Sequence, residues 1–259
     1  PLQLAGRGGS IPSRIRADNK MSYRLGVDVG GTFTDLVLFD EKKKGLVLGK
    51  VPSTPSNQAL GNMDGLEKIA RQAGIAPSEI SFFMHGTTAA TNAILEGKGA
   101  RTALLVTEGF RDVLQIMRQD RPKLYDFFAQ RPAPLISREL RFEVPERVLY
   151  TGEVQKMLDE KRVRSVIKRM RSHGVEAVAV CLLHSYVNPV HELRIQTMLQ
   201  EECPEIEVSI SSDILPEIKE YERMSTTAIN ACVVPIVDKY LRDLQDRLGR
   251  IGIGKTVHV

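Results

Sequence analysis

Ten residues restrict this chain more than any others: Gly26-Val27-Asp28-Val29-Gly30-Gly31-Thr32-Phe33-Thr34-Asp35. A strand ending in an acid and a glycine pair, followed at once by a second strand, leaves the backbone a hairpin as its compact solution. The spacing predicts strands over 23–29 and 33–40. A third follows over 45–51, after the turn Glu41-Lys42-Lys43-Lys44, completing an antiparallel meander.

Beyond the meander the periodicity alternates. Leu60, Met63, Leu66, Ile69 and Ala70 recur at helical spacing, so 56–73 reads as a helix stopped by Gly74. A strand over 80–84, a helix from 87 to about 96 and a strand over 101–107 follow. Residues 118–136 hold Pro122, Pro132 and Pro134 among charges and aromatics, the mark of a long loop or lid. Extended segments occupy 141–149. Asp159 then caps a helix whose Val163, Val166, Ile167 and Met170 form one apolar stripe. Residues 177–183 are continuously apolar, as in a strand covered on both faces of an α/β sheet. Asn188-Pro189 opens a helix with Asn as cap and Pro first, 207–211 is a strand, and 216–248 is a long helix that Pro235 should kink. The fold class is α/β. Residues 255–259 read as the opening of another strand, so a longer native polypeptide is expected.

Composition narrows the function. A formal charge of +4 invites a nucleic-acid reading, but Arg7, Arg14, Arg16 and Lys20 against Asp18 concentrate +3 of it in the first 20 residues. The body is nearly neutral, and its basic runs, 42–44 and 162–171, are solvated faces without aromatic interleaving. Residues 1–21 lack the apolar core of a signal peptide and read as a disordered leader or an appended segment. The longest apolar runs are too short to span a bilayer. Cys181, Cys203 and Cys232 form no CxxC pair, which argues against zinc or a disulfide framework and for a reduced, cytoplasmic setting. His184 and His191 suit loop or capping roles better than metal ligation.

The chemistry sits in the first motif. Glycines at a hairpin tip let backbone N–H groups approach phosphate oxygens, where a Cβ would block them and disfavour positive φ. Asp28 is placed to hold a phosphate-bound Mg²⁺, and the hydroxyls of Thr32 and Thr34 add donors. No GxxxxGK[ST] or GxGxxG run occurs, so this is neither a Walker nor a Rossmann loop. A second motif, His85-Gly86-Thr87-Thr88 with Asn92 a turn later, reads equally as a self-capped helix or as a helix start suited to an anion or polar substrate. Glu220-Tyr221-Glu222-Arg223, and Arg111-Asp112, read by themselves as solvated salt bridges.

The run GVDVGGTFTDLVLFD, the stretch HGTTAATNAILEGKGARTALLVTEGFRDVL at 85–114 and EIKEYERMSTTAINA at 217–231 together resemble the A-type subunit of the hydantoinase/oxoprolinase family over residues 22–259. The resemblance implies an actin-like ATPase (ribonuclease H-like) fold, with 22–212 as the N-terminal hydantoinase/oxoprolinase domain and 213–259 as the start of the ATPase domain. It implies ATP and Mg²⁺ held by Asp28, Gly30, Gly31, Thr32, Phe33, Thr34 and Asp35. Asp28, Thr32 and His85 become catalytic candidates, His85 as a proton carrier, and Gly86, Thr87, Thr88, Asn92, Glu222 and Arg223 substrate-side candidates. The family's second Gly-Gly-Thr phosphate loop and adenosine segment do not occur in this sequence. The activity implied is ATP-dependent hydrolysis of a cyclic amide, completed by a B-type partner subunit or domain in a hetero-oligomer. A ketone carboxylase subunit, a small-molecule kinase of the same fold and a noncatalytic nucleotide switch are the alternatives.

Overall fold

The computed structural model describes residues 23–53, 58–120, 122–253 and 257–259. The leader therefore lies outside the described residues, as does the expected start of the first helix at Ser56. The chain divides into two compact units, one of residues 1–87 and 243–259, the other of 88–242. This division follows spatial contacts and falls elsewhere than the 212/213 boundary expected from sequence.

In the first unit the meander forms as expected: β1 (Tyr23–Val29), β2 (Phe33–Asp40) and β3 (Leu46–Pro52) are consecutive antiparallel neighbours. Helix α1 (Gln58–Ala73) leads to β4 (Ile80–Thr87), which pairs parallel with β1. The short β11 (Val257–His258) adds parallel to β4, giving the order β11-β4-β1-β2-β3. Alternation sends Leu25, Val27, Val29, Leu36 and Leu38 to the face that buries Leu66 and Ile69 of α1. The opposite face carries Asp28, Asp35 and the exposed Val37, Leu48 and Met84.

The second unit is a parallel sheet of β5 (Thr102–Thr107), β6 (Arg141–Val144), β9 (Ala177–Cys181) and β10 (Glu207–Ile210), in the order β10-β9-β5-β6. Every residue of β5 and β9 is buried, as the unbroken apolar run of β9 requires, although β9 stops two residues short of the expected end. Between β6 and β9 lies the two-stranded ribbon of β7 (Arg147–Val148) and β8 (Val154–Lys156). Helix α4 (Glu160–Ser172) buries all four stripe residues, and the Asp159 carboxylate accepts from the Arg162 N–H at 3.0 Å, the predicted cap. Helix α5 (Val190–Glu202) starts one residue later than expected, and Asn188 Oδ1 accepts from the Val190 N–H.

Helix α2 (Ala89–Leu95) and the single turns α3 (Val113–Ile116) and α6 (Ser211–Ile214) are short. The last helix, α7 (Glu220–Arg250), starts later than predicted and carries Pro235 inside it. Ile218 therefore lies outside the helix and is exposed, and Ile229, within it, is exposed as well. The residues that α7 does bury in the second unit are Arg223, Met224, Thr227, Ala228, Ala231 and Cys232. The described part of 118–136 forms no helix or strand and exposes Tyr125, Phe127 and Phe128 almost completely.

Because Ile167 is 1% exposed in the core of the second unit, Ile167→Ala should lower the unfolding free energy by about 2–5 kcal/mol. Removing only the helix cap with Asp159→Ala should cost about 1 kcal/mol. Denaturant titration of the two variants reads this difference directly.

Candidate functional site

The hairpin tip is braced from beneath. Gly30 N–H donates to the Phe33 carbonyl at 3.0 Å, and Ser53 N–H donates to the Thr32 carbonyl at 2.9 Å. The Ser53 hydroxyl donates to the Gly30 carbonyl at 2.8 Å and lies 3.0 Å from the Thr34 hydroxyl. Thr34 is 1% exposed, so the expectation that its hydroxyl faces a phosphate is corrected: alternation along β2 turns it inward, where it holds Ser53. Ser53 is the residue that sequence reasoning missed. It sits 19 positions beyond Thr34, and only the pairing of β2 with β3 brings the two together.

The glycines work by space. Neither Gly30 nor Gly31 has positive φ, which corrects the reason first given for them. A Cβ on Gly30 would sit 3.0 Å from the Phe33 carbonyl oxygen, whereas one on Gly31 would meet nothing within 4 Å. Gly30 is thus required by the turn itself, and Gly31 leaves its surroundings open to a ligand. Thr32 is exposed beside it.

The parallel register of β1 and β4 sets Asp28 opposite Gly86. A Cβ on Gly86 would lie 3.0 Å from Asp28 Oδ1, so this glycine makes room for the carboxylate. The first and second motifs therefore meet at one point, the carboxyl ends of adjacent parallel strands. On the other side Asp28 pairs with Asp35, and Lys50 Nζ neutralises Asp35 at 2.9 Å. Two like charges on facing residues repel, so this pairing leaves Asp28 as the carboxylate open to a cation. Phe33 is half exposed, with Lys50 Nζ 5.1 Å above its ring. Among the described residues there is no cluster of three or more His, Cys, Asp or Glu that could hold a metal alone. Asp28 fits a Mg²⁺ whose other ligands are phosphate oxygens and water.

His85 departs from its expected role as a proton carrier. It is 1% exposed, and burial pushes its imidazole from the ordinary 6.5 down to about 4, against the opposing pull of Asp28. The ring is neutral at pH 7. In the second motif the strand runs three residues further than expected, so that His85, Gly86 and Thr87 complete β4, and α2 starts two residues later than expected, with Thr88 at its N-cap position and no side-chain cap bond. Asn92 Nδ2 instead donates to Thr88 Oγ1 at 3.2 Å.

The remaining candidates lie in the second unit. Glu222 forms the expected surface pair, with Arg118 Nε at 2.6 Å. Arg223 overturns the solvated reading: it is 1% exposed and donates to the carbonyls of Leu182 and Glu217.

The family model for the hydantoinase/oxoprolinase N-terminal region matches residues 24–203. The chain belongs to the hydantoinase/oxoprolinase family. This family member is 35% identical to caprolactamase subunit alpha of Pseudomonas jessenii over 240 residues, covering 90% of this chain and 34% of that subunit. It superposes on the crystal structure of ATP-dependent caprolactamase from the same organism with a TM-score of 0.82 at 34% identity, covering 90% of this chain and 35% of that one. On the nucleotide-free structure of acetone carboxylase the TM-score is 0.78 at 27% identity, again over 90% of this chain and 35% of that one. The family member thus spans about a third of the length of these relatives. Its fold is the α/β fold of the actin-like ATPases. Among the described residues no helix is long and apolar enough to cross a membrane.

The neutral imidazole has a measurable consequence. Because the native state resists protonating His85, its contribution to stability is fully present above pH 6.5 and is lost as pH falls toward 4. Between pH 7 and pH 4 the protein should therefore lose up to about 3 kcal/mol more than a His85→Leu variant does. Parallel denaturant titrations at the two pH values test this, and identical losses would show an imidazole of ordinary basicity.

Proposed function

We propose that this chain is the phosphate-binding part of an ATP-dependent hydrolase of cyclic amides, working with a B-type subunit or domain in a reduced, cytoplasmic compartment. The observation that carries the reading is Asp28, an exposed carboxylate seated over Gly86 beside the open Gly30-Gly31-Thr32 tip. The likeness to an ATP-dependent caprolactamase supports the choice of a cyclic amide.

A cyclic amide resists water because resonance strengthens its C–N bond. Phosphorylating the carbonyl oxygen at the expense of ATP turns that oxygen into a leaving group, and the B-type partner then completes ring opening. Bound Mg²⁺ supplies charge neutralisation on the phosphate oxygens. Transfer of this kind depends on positioning and electrostatics more than on covalent help from the protein. Asp28 would hold the metal, directly or through water. The N–H groups of Gly31 and Thr32 and the Thr32 hydroxyl would orient phosphate oxygens. Thr34 and Ser53 keep the tip in register, and neutral His85 lies beneath as part of the support. Asp35, neutralised by Lys50, and Phe33 form the rim. Thr87, Thr88 and Asn92 are proposed for the substrate side on resemblance alone. A ketone carboxylase subunit is the second reading, favoured by the match to acetone carboxylase.

In the complete polypeptide with its partner, Asp28→Asn should leave the fold intact and cut ATP-dependent turnover about 100-fold or more, equivalent to about 2.7 kcal/mol. Gly86→Ala, which crowds Asp28, should raise the Mg²⁺ concentration needed for half-maximal rate. Unchanged turnover of Asp28→Asn at saturating Mg²⁺ would remove Asp28 from the site.

A further inference from the structure

The hairpin tip carries no cation of its own. Residues 25–41 contain neither lysine nor arginine, whereas a phosphate loop of the Walker type uses a lysine to reach the terminal phosphates. Backbone N–H groups and a single Mg²⁺ leave part of a triphosphate's charge unmatched, and a lysine meets such charge as a compact point charge. Arg24 and Lys50 are the only lysine or arginine residues in the five strands of the first unit. Arg24 stands at the far end of β1, where it pairs with Glu41. Lys42, Lys43 and Lys44 lie in the turn at that same end, between β2 and β3.

Strand register brings Lys50 back to the tip. Gly86, Asp28, Asp35 and Lys50 form one row across β4, β1, β2 and β3, and directly opposed residues share a face of the sheet. Neighbouring strands lie about 4.8 Å apart, so Lys50 and Asp28 stand about 10 Å of backbone apart with both side chains on one face. Lys50 Nζ meets Asp35 Oδ1 and Oδ2 at 2.9 and 3.2 Å and lies 5.1 Å from the centre of the Phe33 ring, on the first residue after the tip. An ammonium has three donors, and the carboxylate takes two. Both partners of this ion pair are more than half exposed, so the pair adds little to stability and leaves the ammonium open on its solvent side. The end of β3 is fixed to the tip three residues later, where Ser53 bonds the Thr32 and Gly30 carbonyls.

We propose that Lys50 is a phosphate-binding residue of this site: Asp35 and Phe33 hold its ammonium at the tip end of β3, and its remaining N–H donates to an oxygen of the terminal phosphates while Asp28 faces the Mg²⁺. The proposal rests on the phosphate-site reading above and gives Lys50 a role besides neutralising Asp35.

The test uses the complete polypeptide with its partner and three probes titrated by calorimetry: Mg²⁺ with the β,γ-methylene analogue of ATP, adenosine, and Mg²⁺ alone. Lys50→Met should weaken binding of the analogue about tenfold or more, the loss of one charge-assisted hydrogen bond. Adenosine affinity and the thermal midpoint should not change. Mg²⁺ alone should bind no more weakly than to the wild type, because Asp35 loses its neutralising partner. Lys50→Arg, which keeps the charge, should recover most of the loss. Unchanged affinity for the analogue in Lys50→Met, equal losses for the analogue and adenosine, or no recovery by Lys50→Arg would each overturn the proposal. Asp28→Asn separates it from the reading beneath it. Weaker binding of the analogue by Asp28→Asn but not by Lys50→Met would keep the phosphate site and remove Lys50 from it, and no binding of the analogue by the wild type would remove both.

Discussion

The parallel pairing of β1 with β4 is the constraint on which the candidate site depends. It sets Asp28 against Gly86, the one residue type that leaves room for a carboxylate 3.0 Å from where a Cβ would stand. Strand pairing has a side-chain period of two, so a slip of one residue would turn Asp28 into the core and expose Val27 or Val29. The apolar residues that fix the register, Leu25, Val27 and Val29 against Phe83, are the same ones that hold the carboxylate outward. Stability and chemistry thus use opposite faces of a single strand.

Beneath that surface, polar groups hold the loop. Ser53 joins the Gly30 carbonyl to the Thr34 hydroxyl, so the end of β3 is tied to the tip between β1 and β2. Such bonds add only about 1 kcal/mol each to stability. Their larger effect is to keep the tip in one conformation, and a preformed donor array gives up little order when a phosphate arrives. Lys50 acts similarly by charge, removing the repulsion that Asp35 would otherwise impose on Asp28.

The second unit manages buried polarity in another way. Glu146 is fully buried, accepting from the Thr107 hydroxyl and meeting His191 Nδ1 at 2.7 Å. Glu192 ties β9 to the turn after β10. Glu146 is met by two side chains, whereas Glu192 accepts from backbone N–H groups that leave the sheet ladder at strand ends. Arg223 donates to two carbonyls and lies against the Tyr186 ring, and so ties the start of α7 to the residue that follows β9. All three cysteines are buried thiols, and burial pushes Cys181 up to about 11, far from a reactive thiolate.

The sequence by itself determined the local elements and the chemical identity of the first motif. Strand alternation in 23–40, the stripe of α4 with its Asp159 cap and the apolar run of β9 are encoded within a few residues, where periodicity and capping act. Long-range partners carry no such local signal. That Thr34 points inward to Ser53, that Gly86 serves Asp28 rather than a helix start, and that His85 is buried and neutral all follow from which strands pair. Arg223 is the clearest case: beside two glutamates on a helix it reads as a surface ion pair, and only the docking of α7 beneath Tyr186 and Leu182 takes it out of water. Residue type and spacing fixed what each group can do, and tertiary burial decided which of them are charged, free to bind, or committed to the fold.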